Sequence, residues 1–218
     1  MARRSQRKNS NKSNPTSSGI RPRVADEAAR IMATEGQHQY FAAKQKAAQR
    51  LGADPRQGLP SNQEVAAALK DYLEFYGGRA REQAVASLLE TAIQAMEWLQ
   101  AMQPKLSGAL VDELANEHSP VHLHVFSDDP DTAVHHLMRH QVPYEQGQKR
   151  IRWYNDEVRT IETISFEAGN NRVELWLFNE TGQRQAPPSP IDGKPRTRLD
   201  LNAVKQLAQR QQAKLLLA

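Results

Sequence analysis

The stretch Ser119–Phe126, SPVHLHVF, is the clearest strand pattern in a chain whose other segments are mostly typical of helices. Aliphatic residues alternate there with imidazole and aromatic side chains: Val121, Leu123 and Val125 against His122, His124 and Phe126. Successive side chains of a strand point to opposite faces of the sheet. One face is therefore aliphatic, and we expect any chemistry on the other face, which carries both histidines.

A matching strand pattern occurs later, at Val173–Phe178, VELWLF. Alternation again separates an aliphatic face from a face with Glu174, Trp176 and Phe178. Glu174 should lie on the same face as His122, within about two strand spacings of roughly 4.8 Å each. We expect Glu174 to bond one imidazole, and Trp176 to serve packing rather than base stacking.

The other segments are predicted from apolar spacing and from turn residues. Predicted helices cover residues 26–36, 39–52, 61–76, 80–102 and 128–140, and a last helix is capped at residue 200. Further strands are predicted at residues 143–145, 149–153, 160–168 and 172–178, the last two forming a hairpin. Ser61 and Glu64 form a capping box, and Phe41 falls on the apolar stripe of its helix. Helices 61–76 and 80–102 are expected to pair as an antiparallel hairpin on the sheet.

The segment Leu106–Asn116 has two readings. Leu110, Val111 and Leu114 recur at helical spacing, but Pro104 interrupts the preceding helix and Gly108 disfavours a new one by about 1 kcal/mol relative to alanine. We favour a strand near residues 106–110 that pairs with SPVHLHVF.

Length and composition indicate one domain with an appendage. We divide the chain into a tail (residues 1–24), a helical region (25–102) and an α+β domain with a C-terminal helix (103–218). The chain has no cysteine, which excludes disulfides, thiolate nucleophiles and cysteine-ligated metals and agrees with a cytoplasmic location. It also lacks an apolar stretch long enough to span a membrane.

The net charge of +4 is unevenly distributed. Residues 1–24 carry +7 and no acid, so residues 25–218 carry −3. Such a segment has too few apolar residues to pack and is predicted to be disordered, so that its deletion should leave thermal stability almost unchanged. Its cations would either contact the phosphates of RNA or DNA or simply keep the chain in solution. The candidate nucleic-acid contacts are Arg3, Arg4, Arg7, Lys8 and Lys12.

Histidines are concentrated in one short segment, at positions 118, 122, 124, 135, 136 and 140. A zinc site can be drawn from His122, His124 and Glu174, because imidazole and carboxylate are zinc ligands. The spacing matches no established zinc motif, and histidines on strands usually find hydrogen-bond partners instead. We therefore assign no metal.

Residues 104–179 resemble the DNA-polymerase-β-like nucleotidyltransferase superfamily in their order of elements. Ser107 and Gly108 stand, in reversed order, where that family has a Gly-Ser turn, and Ser119 stands where it has the serine before two metal-binding aspartates. Pro120 and His122 occupy the positions of those aspartates, whereas Glu174 matches the third carboxylate. The whole chain also looks like a set of proteobacterial nucleotidyltransferase-like proteins.

The resemblance implies a nucleotidyltransferase-type α+β fold, with a mixed or antiparallel sheet covered by helices on one face. Two-metal nucleotidyl transfer requires magnesium ions held by anionic oxygens, and here only Glu174 remains. A degenerate, non-catalytic member is therefore expected, with no cofactor, or with magnesium if activity survives. The candidate binding residues are Ser107, Gly108, Ser119, His122, His124, Glu174 and Trp176.

Three functions follow from these expectations. The first is a nucleotidyltransferase-like protein that has lost catalysis and binds a nucleotide or a macromolecular partner. The second is an active nucleotidyltransferase that uses displaced carboxylates such as Asp128 or Asp129. The third is an RNA- or ribosome-associated protein that acts through its basic tail.

Overall fold

The computed structural model describes residues 17–54, 58–129 and 131–217. The helices in these ranges are α1 (Ser17–Glu35), α2 (Tyr40–Arg50), α3 (Asn62–Tyr76), α4 (Gly78–Trp98), α5 (Thr132–Arg139) and α6 (Leu201–Leu217). The strands are β1 (Lys105–Ser107), β2 (Val121–Phe126), β3 (Glu145–Arg152), β4 (Val158–Ala168) and β5 (Asn171–Phe178). Short 3₁₀ turns follow α4 and β5. The predicted α+β class is confirmed.

The five strands form one mixed sheet in the order β1-β2-β5-β4-β3. Strands β2 and β5 are parallel, while β1 pairs antiparallel with β2 and β4 pairs antiparallel with β5 and β3. The connection from β2 to β5 contains α5 and the β3–β4 hairpin. The two strand patterns recognised in the sequence therefore lie side by side at the centre of the sheet.

The aliphatic face of the sheet packs on helices and forms the larger hydrophobic core. Leu123 and Leu175 are fully buried there with Leu88 and Met96 of α4. Val204 of α6 joins the same cluster, and the Asp200 carboxylate accepts the backbone N–H of Ala203 as the cap of this helix. Helix α4 thus covers the sheet as predicted, because a sheet must bury its apolar face.

A second hydrophobic cluster lies among α1, α2 and α3. The helices approach closely because their contacts are mostly alanines, with Ala28, Ala43 and Ala47 each fully buried. Helix α3 contributes its buried side to this cluster and α4 contributes to the sheet core. The expected α3–α4 hairpin is therefore wrong as a packing unit, since α3 packs chiefly on α1.

The predicted disordered tail extended too far into the chain. Helix α1 begins at Ser17, and Val24 is only 2% exposed within the α1–α3 cluster. The Arg21 guanidinium donates two hydrogen bonds to Glu64, the residue that also completes the capping box with Ser61. Deleting residues 1–24 would therefore remove packed structure. The arginines and lysines proposed to contact nucleic acid, at positions 3–12, lie outside the described residues.

Three other predictions need correction or shortening. The two strands predicted at 143–145 and 149–153 are one continuous strand, β3 (Glu145–Arg152), because its whole length pairs with β4. Phe41 is 63% exposed, since Ala43, Ala47 and Ala48 form the buried side of α2. In the segment Leu106–Asn116, the strand covers only Lys105–Ser107 and a turn follows at Gly108, so the strand prediction holds over fewer residues than expected.

Within the described ranges, no helix is both long and apolar enough to cross a membrane.

Candidate functional site

The second face of the sheet brings the sequence-predicted residues into one row. Ser107, His122 and Glu174 are direct cross-strand partners on β1, β2 and β5. In the next row, His124 is the partner of Trp176. Partners directly across a sheet share a face, so Glu174 lies one strand from His122 as predicted.

The two histidines are packed among aromatic rings. The ring centroids of His122 and Trp176 are 4.4 Å apart, and the His124 ring stacks on Trp176 at 5.5 Å. Burial lowers the pKa of both histidines well below the usual value, and the neighbouring cations lower it further. Both imidazoles are therefore neutral near pH 7.

His124 exists as one tautomer, which its hydrogen bond decides. Its Nδ1 accepts from Nε of Arg198 at 2.8 Å. A guanidinium nitrogen can only donate, so the proton of the neutral imidazole must be on Nε2. That Nε2 is buried and has no partner among the described residues, and the same is true of Nε2 of His122.

Glu174 has partners other than the expected imidazole. One carboxylate oxygen accepts from the Trp176 indole Nε1–H at 2.6 Å, and the other lies 3.3 Å from Nζ of Lys149. The predicted bond between Glu174 and a histidine is therefore wrong. Trp176 is 5% exposed, which agrees with its predicted role in packing.

The serine and glycine candidates have structural roles. The Ser107 hydroxyl donates to the backbone oxygen of Thr197, and the Ser119 hydroxyl bonds Asn116. Gly108 has φ +77°, and a Cβ atom at this position would lie 3.0 Å from Nδ1 of His122. These residues hold the loops and the histidine in place.

Two arginines of the loop before α6 cover this face, and sequence reasoning missed both. The Arg196 guanidinium lies 4.8 Å from the Trp176 ring centroid. That of Arg198 lies 5.1 Å from both the Phe126 and the Phe178 ring. The only signal in the sequence is their spacing of two residues in an extended segment, which indicates a shared side but not what that side contacts.

The histidine-rich segment is divided between the two faces of the sheet. His136 of α5 and His140, which directly follows α5, pack against Trp98 of α4, at ring distances of 4.5 and 5.4 Å, on the helix-covered side. No group of three or more His, Asp or Glu side chains suited to a metal occurs among the described residues. The structure therefore does not support the zinc site drawn from His122, His124 and Glu174.

Asp128 and Asp129, the alternative candidates for catalytic carboxylates, already have hydrogen-bond partners. An oxygen of Asp128 accepts the backbone N–H of Glu180, and one of Asp129 accepts that of Asp131. Both aspartates follow the carboxyl end of β2, whereas Glu174 is paired with His122 near its other end. Phe126 lies four positions beyond His122 along β2, or about 13 Å away at roughly 3.3 Å per residue.

An open groove of about 650 Å³ lies away from the sheet, between α1 and α3. Its polar side chains include Arg30 and Glu27, which pair with each other, and its aromatic wall is Tyr72, Phe75 and Tyr76. Unlike the sheet face, this groove brings together no buried polar group that lacks a partner among the described side chains. We therefore place the candidate site on the sheet.

Comparison with known proteins identifies no relative. No family model matches the chain, and neither a curated protein nor a solved structure matches it.

Proposed function

We propose that this chain is a nucleotidyltransferase-like protein that has lost two-metal catalysis and acts by binding a nucleotide. The arrangement of the central strands supports the likeness: β2 and β5 are parallel neighbours, with Ser107, His122 and Glu174 in one row across them. The single observation that carries the loss of catalysis is that Glu174 is occupied by the Trp176 indole and by Lys149.

The small number of carboxylates on the central strands is evidence against catalysis. Glu174 is the only acidic residue on β1, β2 and β5. Two magnesium ions need several anionic oxygens to neutralise the attacking and leaving groups of nucleotidyl transfer. His122 supplies a neutral imidazole, and magnesium prefers oxygen ligands. One carboxylate that is already paired cannot replace the three that this chemistry uses.

The electrostatics of the same face favour binding of a phosphorylated ligand. Lys149, Arg196 and Arg198 approach it with three positive charges, whereas Glu174 and Asp112, which lies near Arg196, provide two negative charges. Burial lowers the pKa of Arg196, and the nearby Asp112 and Glu174 only partly counteract this. Arginine and lysine are the side chains that proteins use to bind phosphate.

The test measures binding and catalysis separately on the whole 218-residue chain. Each labelled nucleoside triphosphate is first titrated without metal, and saturable binding is expected. It is then incubated with magnesium or manganese and with RNA or small hydroxylated acceptors, and no label should be transferred. Magnesium-dependent transfer that disappears in Glu174→Ala would overturn the loss of catalysis, and absence of binding to every nucleotide would overturn the nucleotide ligand.

The two other functions remain predictions with less support. Catalysis by displaced carboxylates would require Asp128 or Asp129 to leave its backbone partner. Association with RNA or the ribosome rests on cations outside the described residues.

A further inference from the structure

Arg198 is a half-buried cation that has no counter-ion among the residues that the structure describes. Its Nε donates to His124 Nδ1 at 2.8 Å and its Nη1 to the backbone oxygen of Gly182 at 2.8 Å, and both acceptors are neutral. Among the described residues no carboxylate forms an ion pair with it, and burial lowers its pKa to about 10. Arg196, two residues earlier, differs because Asp112 and Glu174 lie near it.

Two hydrogen-bond donors at this position lack acceptors within the described part of the chain. Nη2 of Arg198 is buried without a partner, and so is Nε2 of His124, which must carry the ring proton. The fixed fork of the guanidinium places Nη2 beside Nε, next to the His124 ring, whereas Nε2 of that ring points away from the nitrogen that Arg198 contacts. Buried donors and buried charges are normally paired, so this arrangement requires an acceptor and a negative charge.

The surroundings show what such a ligand would be. The guanidinium lies over the neighbouring Phe126 and Phe178 rings, and backbone carbonyls fix its other arm. The donors are therefore already oriented, which reduces the entropy lost on binding. A tetrahedral oxyanion supplies both the charge and several acceptor oxygens.

From this geometry we infer that Arg198 and His124 form an oxyanion site that takes a phosphate group of the bound ligand. The inference rests on the proposed function, since it assigns the phosphate of the nucleotide to named atoms. Arg198 is a binding residue that donates through Nη2. His124 is a positioning residue that orients Arg198 by accepting from its Nε.

The experiment titrates the full chain by calorimetry, without metal and at low salt, with inorganic phosphate, inorganic triphosphate, ATP and acetate. Phosphate, triphosphate and ATP should bind, and Arg198→Met should weaken each on the order of 10- to 100-fold, as expected for loss of a charged hydrogen bond. Arg198→Lys keeps the positive charge but lacks the Nη2 donor. It replaces the methionine variant in the test if that variant does not fold, and it should also bind each anion more weakly than the wild type. The matched control is Arg172→Met, which removes an exposed cation from the same face of β5 and should leave binding unchanged.

The outcomes separate this inference from the proposed function. If inorganic triphosphate binds as tightly as ATP and Arg198→Met weakens both, the oxyanion site stands and the nucleotide function fails. If ATP binds equally well to the wild type and to both Arg198 variants, the nucleotide function stands and the oxyanion site is wrong. Binding of acetate as tight as that of phosphate would overturn the assignment to phosphate. If neither phosphate, triphosphate nor ATP binds to the wild type, the oxyanion site and the nucleotide function are both wrong.

Discussion

The two faces of strands β2 and β5 differ in what they bury. On the helix side, Leu123 and Leu175 are fully enclosed by other aliphatic side chains. On the opposite side, the neighbours of these residues along the strands are two imidazoles, a paired glutamate and an indole, under two guanidinium groups. Apolar burial is favourable wherever it occurs, whereas buried polar groups stabilise a fold only if each has a partner. The helix side therefore holds the sheet together, and the other side has the properties expected of a binding surface.

The largest effect is expected on the helix side. Leu123→Ala should lower the free energy of unfolding by about 2 to 5 kcal/mol, because it leaves a cavity in a fully buried position. Urea unfolding measures the change. Phe41→Ala removes an exposed side chain and serves as the control, with a change within about 0.5 kcal/mol. A loss for Leu123→Ala as small as that of the control would show that this face is not the main source of stability.

A smaller effect is expected where the backbone supports the second face. Gly108→Ala should destabilise the protein by roughly 1 to 3 kcal/mol, because alanine is strained at φ +77° and its Cβ would crowd Nδ1 of His122. Gly169 has a similar φ of +63° and nothing within 4 Å of a Cβ atom, so Gly169→Ala reports the backbone strain alone. Thermal unfolding measures the stability lost in each variant, and the excess loss in Gly108→Ala over Gly169→Ala is the part due to crowding of His122. Equal losses would mean that His122 has room to move.

The smallest effect is a dependence of stability on pH. The folded pKa of His122 lies below its unfolded value of about 6.5, so its contribution is complete above that pH and is lost as the pH falls toward the folded pKa. Each such histidine should make the free energy of unfolding decrease by about 1.4 kcal/mol per pH unit between roughly pH 6 and 5. His122→Phe keeps an aromatic ring and removes no observed hydrogen bond. It should therefore reduce the pH dependence of the free energy of unfolding by the contribution of one histidine.

Denaturant unfolding at several pH values measures that slope. The control is His135→Gln on the exposed side of α5, which should leave it unchanged. An unaltered slope in His122→Phe would show that this imidazole does not become charged on unfolding. At pH 7 the variant should be close to the wild type in stability, since it replaces a buried polar atom without a partner by an apolar one.

Local patterns predicted much of the framework. The alternation in SPVHLHVF and VELWLF predicted which residues share a face, and the structure places His122 beside Glu174 on that face. The capping box at Ser61 and the cap at Asp200 were predicted from side chains only three residues from their partners. Each of these features depends on residues close in the chain or on a strict strand period, so the sequence contains what is needed to predict it.

The sequence by itself determined the α+β class, the two faces of the central strands and most helix ends, because periodicity and capping act over a few residues. Only the tertiary structure decided what covers the second face. Arg198 contacts His124 across 74 positions of the chain, and Glu174 bonds Trp176 and Lys149 instead of the histidines. The tertiary structure also places the histidines of one segment on opposite sides of the sheet, and it packs α3 against α1. Such contacts depend on how whole elements pack, since the same side chain has several acceptable partners and the fold selects which of them comes within reach.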